Sequence, residues 1–205
     1  AVLHEDRELV VSASGDRAEI AVEGTVIMSF GSLNERVDLY LGDSAALRVD
    51  SGSGDVTIEG LALQELQLAA GSGDVAVSDT SGPLRVETGS GDQSFRDVDG
   101  SVELRAGSGD IELDSVDGLS FARTSSGDIS GSDLRLPNRI SIRTGSGDVD
   151  LDFDHEETDF TFDLSAGSGD IRVNRTRAED VFAFGDGPIV LRMETGSGDQ
   201  TIRTR

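Results

Sequence analysis

The stretch Ile142–Leu151 reads Ile-Arg-Thr-Gly-Ser-Gly-Asp-Val-Asp-Leu, with alternating apolar and polar residues on both sides of a glycine turn. The Gly-Ser-Gly-Asp turn recurs along the chain, once with Ser125 in place of the first glycine. Its aspartates are Asp55, Asp74, Asp92, Asp110, Asp128, Asp148, Asp170 and Asp199. Successive aspartates are 19, 18, 18, 18, 20, 22 and 29 residues apart. A nearly constant period of this length is typical of a stacked repeat architecture.

Aligning the copies on the turn aspartate gives four mostly apolar columns. In the copy that contains Asp110, these positions are Val102, Leu104, Ile111 and Leu113. The positions between them are mostly polar, and this period-2 alternation predicts one β-strand on each side of the turn. A second turn is predicted ten residues before the aspartate, where left-handed backbone is tolerated by Gly82, Gly100, Gly118 and, in a later copy, Asn138.

These features predict an all-β fold, a right-handed parallel β-solenoid (β-helix) with two strands per rung of roughly 18 residues. Residues 46–205 form the regular solenoid in this interpretation. Residues 1–45 form an irregular N-terminal rung or capping hairpin of the same domain, because the apolar residues after their turn-like sequence, among them Ile20, are one register off.

The last repeat interval contains an additional segment, Arg175–Pro188, which we expect to project as a loop or hairpin. The chain stops just after its last predicted strand. We therefore expect this strand at the end of the stack, where Arg203 and Arg205 would discourage edge-to-edge growth.

The chain is strongly acidic, with a net charge of −23, and it contains no cysteine and no lysine. Such a charge repels nucleic acid and anionic lipid headgroups, so neither is an expected partner. Absence of cysteine excludes disulfides, thiol nucleophiles and cysteine metal sites. No apolar run is long enough for a membrane span, so we expect no membrane insertion by this segment. The sequence begins at Ala1, as it would after a cleaved or omitted upstream segment.

The column of turn aspartates has two interpretations. Each carboxylate can accept backbone N–H bonds from its own or an adjacent turn, which is a structural role. Alternatively, the column forms a calcium ladder like that of the β-rolls, whose repeat of about nine residues also contains glycine and aspartate. We favour the structural role, because only one turn per unit carries the motif.

A second acidic feature follows Asp148. Alternation places Asp150 and Asp152 on one outward face, and oxygen ligands so close together suit a hard cation. A solvated strand that leads into an acidic loop explains the same residues. These two aspartates are therefore weak metal candidates, and no cofactor is expected.

Three consecutive copies carry an arginine five residues before the turn aspartate: Arg105, Arg123 and Arg143. With Phe121 beside them, they are candidates for binding a carboxylated or sulfated glycan, a cell-wall polymer or an acidic segment of a protein partner. The alternative is pairing between rungs, since Arg85 and Glu87 would face residues of opposite charge in the next copy. That pairing leaves Arg123 beside Arg143 unexplained.

An enzymatic role is not expected. The two histidines, His4 and His155, lie near a terminus and in an acidic loop, and no Ser-His-Asp set is assembled by spacing. The Gly-Ser-Gly-Asp turn does not match a nucleotide-binding loop, because no helix follows it and the chain has no lysine.

The pattern of alternating strand, Thr-Gly-Ser-Gly-Asp turn and alternating strand resembles a prokaryotic family of adhesin-like domains of unknown function, within the toastrack group of stacked-strand domains. The segments that resemble it most are Leu84–Asp92, Ile142–Leu151 and Leu191–Ile202, together with Tyr40–Asp43 before the first regular rung and Gly185–Pro188 before the last turn. The resemblance covers nearly the whole chain. It implies a stacked-strand fold and no particular catalytic or binding residue.

Members of that family often lie at the cell envelope, some beside membrane-stress signalling components. The resemblance therefore implies a non-catalytic binding or scaffolding module, adhesin-like, outside the cytoplasm or at the cell surface. An alternative is an intracellular or membrane-stress-linked domain that acts through protein assembly. A third interpretation is a calcium-dependent surface β-roll. The residues do not indicate an oligomeric state.

Overall fold

The computed structural model describes residues 2–3, 8–12, 21–22, 25–30, 40–41 and 45–205, with side chains from residue 46 onward. The strands are β1 (Val2–Leu3), β2 (Glu8–Ser12), β3 (Ala21–Val22), β4 (Thr25–Phe30), β5 (Tyr40–Leu41), β6 (Ala45–Ser51), β7 (Val56–Glu59), β8 (Leu63–Ala70), β9 (Val75–Ser81), β10 (Leu84–Thr88), β11 (Gln93–Ala106), β12 (Ile111–Arg123), β13 (Ile129–Leu134), β14 (Arg139–Thr144), β15 (Val149–Phe153), β16 (Phe160–Ala166), β17 (Ile171–Val173), β18 (Thr176–Ala178), β19 (Val181–Phe184), β20 (Ile189–Thr195) and β21 (Gln200–Arg203). In these ranges the sole helical segment is a short 3-10 turn, η1 (Glu157–Asp159). No helix of the described chain is long and apolar enough to cross a membrane.

Segments just before the turns pair in parallel with one another and form the first sheet, and segments just after the turns form the second. The long strands β11 and β12 run from the second sheet of one rung into the first sheet of the next. In the first sheet, Leu66 of β8 lies opposite Leu84 of β10. In the second, Val75 of β9 lies opposite Gln93 of β11. The pairing of β2 with β4 and of β4 with β6 continues the first sheet toward the N-terminus. The predicted all-β parallel solenoid is confirmed, and its right-handed sense remains a prediction.

The core lies between the two sheets and consists of the predicted apolar columns. Val86, Leu104 and Ile142, all six residues before a turn aspartate, are fully buried. One column departs from the alignment, because the pairing of β11 with β12 shifts register and places Leu119 opposite Val102. Leu119 is consequently buried, whereas Ser120 is only half-buried.

The chain turns two corners between the second sheet and the next rung. Glycines make the predicted corner with positive φ, at Gly82, Gly100 and Gly118. The sequence did not indicate the other corner, which Asp79, Asp97, Ser115 and Asp133 make at φ of 50° to 55°. One side chain between the two corners points inward and is buried, as Val98 and Val116 are. Each such rung therefore has a short third side.

The predicted left-handed turn at Asn138 is wrong. Asn138 is absent from the residues with positive φ, and Asp133 makes the left-handed corner of this rung. The carbonyl of Asn138 accepts the N–H of Val190 at 2.9 Å. Asn138 thus lies at a bend just before β14, and its carbonyl joins the pairing of β14 with β20.

The rungs, each named by its turn aspartate, do not stack in chain order. β20 pairs with β14 on one side and with β16 on the other. In the same way, β21 lies between β15 and β17. The Asp199 rung is therefore inserted between the Asp148 and Asp170 rungs, and the expectation that the last strand lies at the end of the stack is wrong. Because β21 is paired on both sides, Arg203 and Arg205 do not protect an exposed sheet edge. They form ion pairs with Asp150 and Asp154 respectively.

The stack ends beyond the Asp170 rung in two antiparallel strands. β18 forms a hairpin with β17, and β19 runs antiparallel to β16. The predicted loop or hairpin over Arg175–Pro188 is confirmed in this form. The Phe182 ring packs edge-on against Phe162, with 5.9 Å between centroids, while Val181 and Phe184 remain 63% and 58% exposed.

Candidate binding face and the aspartate ladder

The turn aspartates form a continuous hydrogen-bonded ladder along the stack. Oδ1 of each aspartate except the last accepts the backbone N–H of the aspartate in the next rung, at 2.8 to 3.0 Å. The order is Asp55, Asp74, Asp92, Asp110, Asp128, Asp148, Asp199, Asp170. A hydrogen bond to a carboxylate is stronger than one between neutral groups, so these bonds offset the repulsion between stacked like charges.

Asp170 ends the ladder, and a cation occupies the position that a further rung would take. Arg177 of β18 donates from Nη2 to Oδ2 of Asp170 at 2.5 Å. This hydrogen bond holds the pKa of Asp170 below its ordinary value and raises the pKa of Arg177. The hairpin after the Asp170 rung therefore supplies the positive charge that neutralises the last carboxylate of the ladder.

The glycines of the turn are required by contact between rungs. A Cβ at Gly91 would lie 2.0 Å from the carbonyl oxygen of Gly73, and a Cβ at Gly109 would lie equally close to the oxygen of Gly91. Backbone atoms cannot move aside as a flexible side chain can. The Gly-Ser-Gly-Asp motif thus serves tight stacking of the turns.

One of the two weak metal candidates, Asp150, is placed in an ion pair. Both Asp150 and Asp152 are exposed on β15, but the Arg203 guanidinium holds both oxygens of Asp150, at 2.5 and 3.1 Å. The same hydrogen bond raises the pKa of Arg203. Within the described ranges, no group of three or more histidine and carboxylate side chains is placed to hold a metal ion.

Arg105, Arg123 and Arg143 lie directly beside one another on the outward side of the first sheet. The register places Arg105 opposite Arg123, and Arg123 opposite Arg143. We call these three residues with Phe121 the arginine face. Neighbouring strands are about 4.8 Å apart, so adjacent guanidinium groups repel unless a counter-charge lies between them.

The outer two arginines have counter-charges, and the middle one has none among residues 46–205. Arg105 lies 3.6 Å from both Glu87 and Glu103, and Arg143 lies 3.1 Å from Glu194. Of the carboxylates in residues 46–205, none lies within 4.0 Å of the exposed Arg123 side chain. An unpaired cation between two others is unexpected in a chain of net charge −23.

Phe121 supports this cluster differently from the sequence-based expectation. It is half-buried, and the Arg105 guanidinium lies over its ring, 4.6 Å from the centroid. A cation–π contact of this kind holds the guanidinium in place. One face of the ring is therefore occupied, which leaves less aromatic surface for a sugar than an exposed phenylalanine offers.

The predicted pairing between rungs is also present beside the arginine face. Arg85 contacts Glu87 and Glu103 at 3.4 and 3.8 Å, and the same two glutamates contact Arg105. Pairing thus accounts for Arg105 and leaves Arg123 unexplained, as the sequence suggested.

A family model described as Toastrack DUF4097 matches residues 3–203. The chain belongs to that family. Comparison with curated proteins and with solved structures finds no match. Membership of the Toastrack family and the β-solenoid fold fit a non-catalytic scaffold module.

Two polar residues in the core of this Toastrack domain escaped the sequence-based interpretation. Gln93 and Gln200 occupy an otherwise apolar column and are 1% and 0% exposed. Nε2 of Gln93 donates to Thr88 Oγ1 and to the Arg105 carbonyl, at 2.9 and 2.7 Å. Gln200 makes the equivalent bonds to Thr195 and Ser165. A glutamine among valines and isoleucines was the available signal.

Proposed function

We propose that this protein is a non-catalytic binding and scaffolding module of the prokaryotic cell envelope, adhesive in function, and that its ligand is an anionic glycan or cell-wall polymer. The observation that carries the proposal is the exposed Arg123 between Arg105 and Arg143, which has no carboxylate within 4.0 Å among residues 46–205. Like charges in register destabilise a sheet slightly. A ligand whose anionic groups pair with these arginines would relieve that repulsion, and the relief would contribute to its binding free energy.

A linear polymer suits this surface better than a small molecule. The arginines recur at one strand spacing of about 4.8 Å along the stack, and a chain of sugars presents carboxylate or sulfate groups at repeated intervals. Guanidinium groups bind both oxyanions through paired hydrogen bonds. The described surface also contains an open depression of about 340 Å³, but it is lined by Asp79, Asp97 and Asp99 and would repel an anion.

The surroundings of His155 support a non-catalytic role. Its Nε2 accepts the backbone N–H of Leu136 at 3.1 Å, and its ring lies edge-on to Phe160. The imidazole is therefore engaged in holding two segments of backbone together, and it is poorly placed to act as a general base.

The test compares Arg123→Gln with Arg96→Gln. Arg96 is an exposed arginine of the second sheet that lies 3.5 Å from Asp114, so its replacement removes the same charge elsewhere. Binding to heparin, polygalacturonate and purified cell-wall polymer is measured by biolayer interferometry at two salt concentrations. We expect Arg123→Gln to weaken binding about tenfold, about 1.4 kcal/mol, and Arg96→Gln to weaken it far less.

Equal losses for the two variants would point to nonspecific charge attraction and contradict a dedicated face. Absence of binding by the unmodified protein would contradict the adhesive role for those polymers. The envelope location is a separate proposal, tested by fractionating cells that produce the complete gene product.

A further inference from the structure

A slot between the Asp148 and Asp170 rungs is filled by the Asp199 rung, which reaches it out of chain order. Met193 of β20 lies opposite Ile142 on one side and opposite Leu164 on the other. Met193 and both neighbours are fully buried. Two strands of residues 189–205 are thus paired on both sides, and we call this segment the inserted rung.

Side chains from both walls of the slot hold the far end of the inserted rung. On the Asp148 side, Arg203 contacts Asp150, and Arg205 contacts Asp154, which is only 12% exposed and also pairs with Arg135. On the Asp170 side, Asn174 bonds Thr204 twice, at 2.9 and 3.0 Å. The slot therefore recognises this particular segment through its charges as well as its backbone.

The covalent connection to the inserted rung is short. Residues Gly185–Pro188 link β19, at the end of the stack, back to β20 inside it. Gly185 has φ of +90°, and Gly187 lies against the backbone of Asp159 and Phe160. The side-chain contacts of the inserted rung are either internal to it, as from Gln200 to Thr195, or made with the slot. None of these contacts therefore depends on which copy of the chain supplies the segment.

We propose that the inserted rung is exchangeable and that the slot also binds the inserted rung of a second copy of this chain. Reciprocal exchange keeps all buried contacts of the monomer and changes only the path of the four-residue connection. The product is a closed two-fold dimer. The partner is identified by the chemistry of the slot, which matches residues 189–205 in register, in charge and in length.

A cysteine pair reports which copy fills the slot. Arg139 of β14, in the wall of the slot, lies opposite Val190 of β20, in the inserted rung. The chain contains no cysteine of its own. The full chain carrying Arg139→Cys and Val190→Cys is unfolded, refolded at increasing concentration and oxidised. We expect a cross-linked dimer on non-reducing gels that increases with protein concentration. The control is Glu87→Cys with Arg105→Cys, a register pair outside the exchanged segment, which should cross-link within one chain only.

A second variant changes the equilibrium between monomer and exchanged dimer by straining the connection. A Cβ at position 187 would lie 2.2 Å from the Asp159 carbonyl carbon, so Gly187→Ala strains the connection in the monomer. Gly100→Ala, with a Cβ 2.3 Å from the Gly82 oxygen and a φ of +141°, introduces at least as much strain away from it. We expect the dimer fraction, measured by light scattering, to be about tenfold higher for Gly187→Ala than for Gly100→Ala. In the cysteine-pair protein that also carries Gly187→Ala, the cross-links should be intermolecular.

A dimer in which every disulfide between positions 139 and 190 lies within one chain would show surface association and overturn the proposal. The proposal is also overturned if no intermolecular disulfide forms at any protein concentration, either with the natural connection or with Gly187→Ala. Should Gly187→Ala fail to fold, the refolding series with the natural connection decides the question alone.

Discussion

Oδ1 of Asp148 accepts the backbone N–H of Asp199 at 2.8 Å, although 51 residues separate the two in the chain. The same bond joins Asp110 to Asp128, only 18 residues apart, at the same distance. The ladder thus has one geometry whether or not its members are consecutive in sequence. Hydrogen bonds between turns require only that the next turn lie one strand spacing away.

The ladder predicts different results for two replacements of Asp110. Asp110→Asn keeps an oxygen that can accept the Asp128 N–H and removes one charge from the column, so stability should change by less than about 0.5 kcal/mol. Asp110→Ala removes the acceptor and should cost about 1 kcal/mol. Urea unfolding of both variants measures the difference. Both variants lack the charge, so equal losses would mean that the charge of the carboxylate matters more than the acceptor oxygen.

The thin core predicts a sharp contrast between neighbouring residues of β10. Val86 is fully buried, and Val86→Asp would place an unpaired charge between the sheets, which should cost at least about 3 kcal/mol. Glu87 is exposed and ion-paired, so Glu87→Ala should cost no more than about 1 kcal/mol. Thermal unfolding followed by circular dichroism compares the two. Similar midpoints would show that the core is less dry than its burial implies.

Folding is expected to proceed without calcium. Each ladder carboxylate except the terminal Asp170 already accepts a backbone N–H, and Arg177 satisfies Asp170. An ion that binds the native state at a hundredfold excess over its dissociation constant would stabilise it by about 2.7 kcal/mol. Excess chelator should therefore leave the melting temperature unchanged. A marked drop would support the calcium-dependent β-roll interpretation instead.

The ion pair at the end of the ladder predicts a stability change in acid. Because Arg177 lowers the pKa of Asp170 below its ordinary 3.8, the native state binds this proton less readily than the unfolded chain. The contribution is complete above that value and is lost as the pH falls through the lower native pKa. NMR titration of the Asp170 carboxyl in the native protein and in Arg177→Gln measures the native pKa on which this contribution depends. We expect the variant to titrate at higher pH, and identical titrations would contradict the pairing.

The strands, the two predicted core columns before each turn and the glycine corner follow from local sequence because each has its own signal. Period-2 alternation predicted β10, and the recurring glycines predicted the corner at Gly82. The second corner was missed because Asp79 and Asp97 are exposed polar residues, and such residues are common on any acidic surface. Their left-handed backbone is visible only in the structure.

The arginine face was predictable in part for a similar reason. Arg105, Arg123 and Arg143 belong to rungs that are consecutive both in sequence and in space, so alignment placed them together. The partner of Arg143 is Glu194, from the inserted rung, and alignment could not place it. The orientation of the Arg105 guanidinium over Phe121 depends on side-chain packing, which the alignment does not contain.

By itself, the sequence determined that this protein is a parallel stack of turns with an apolar interior, because alternation and turn glycines act within one rung. The order of the rungs was decided only by the tertiary structure. All rungs present similar apolar columns and the same turn, so many neighbours are compatible with any one of them. What selects the inserted position is contact across the stack, as between Arg203 and Asp150. Such contacts form only once the chain has folded back on itself.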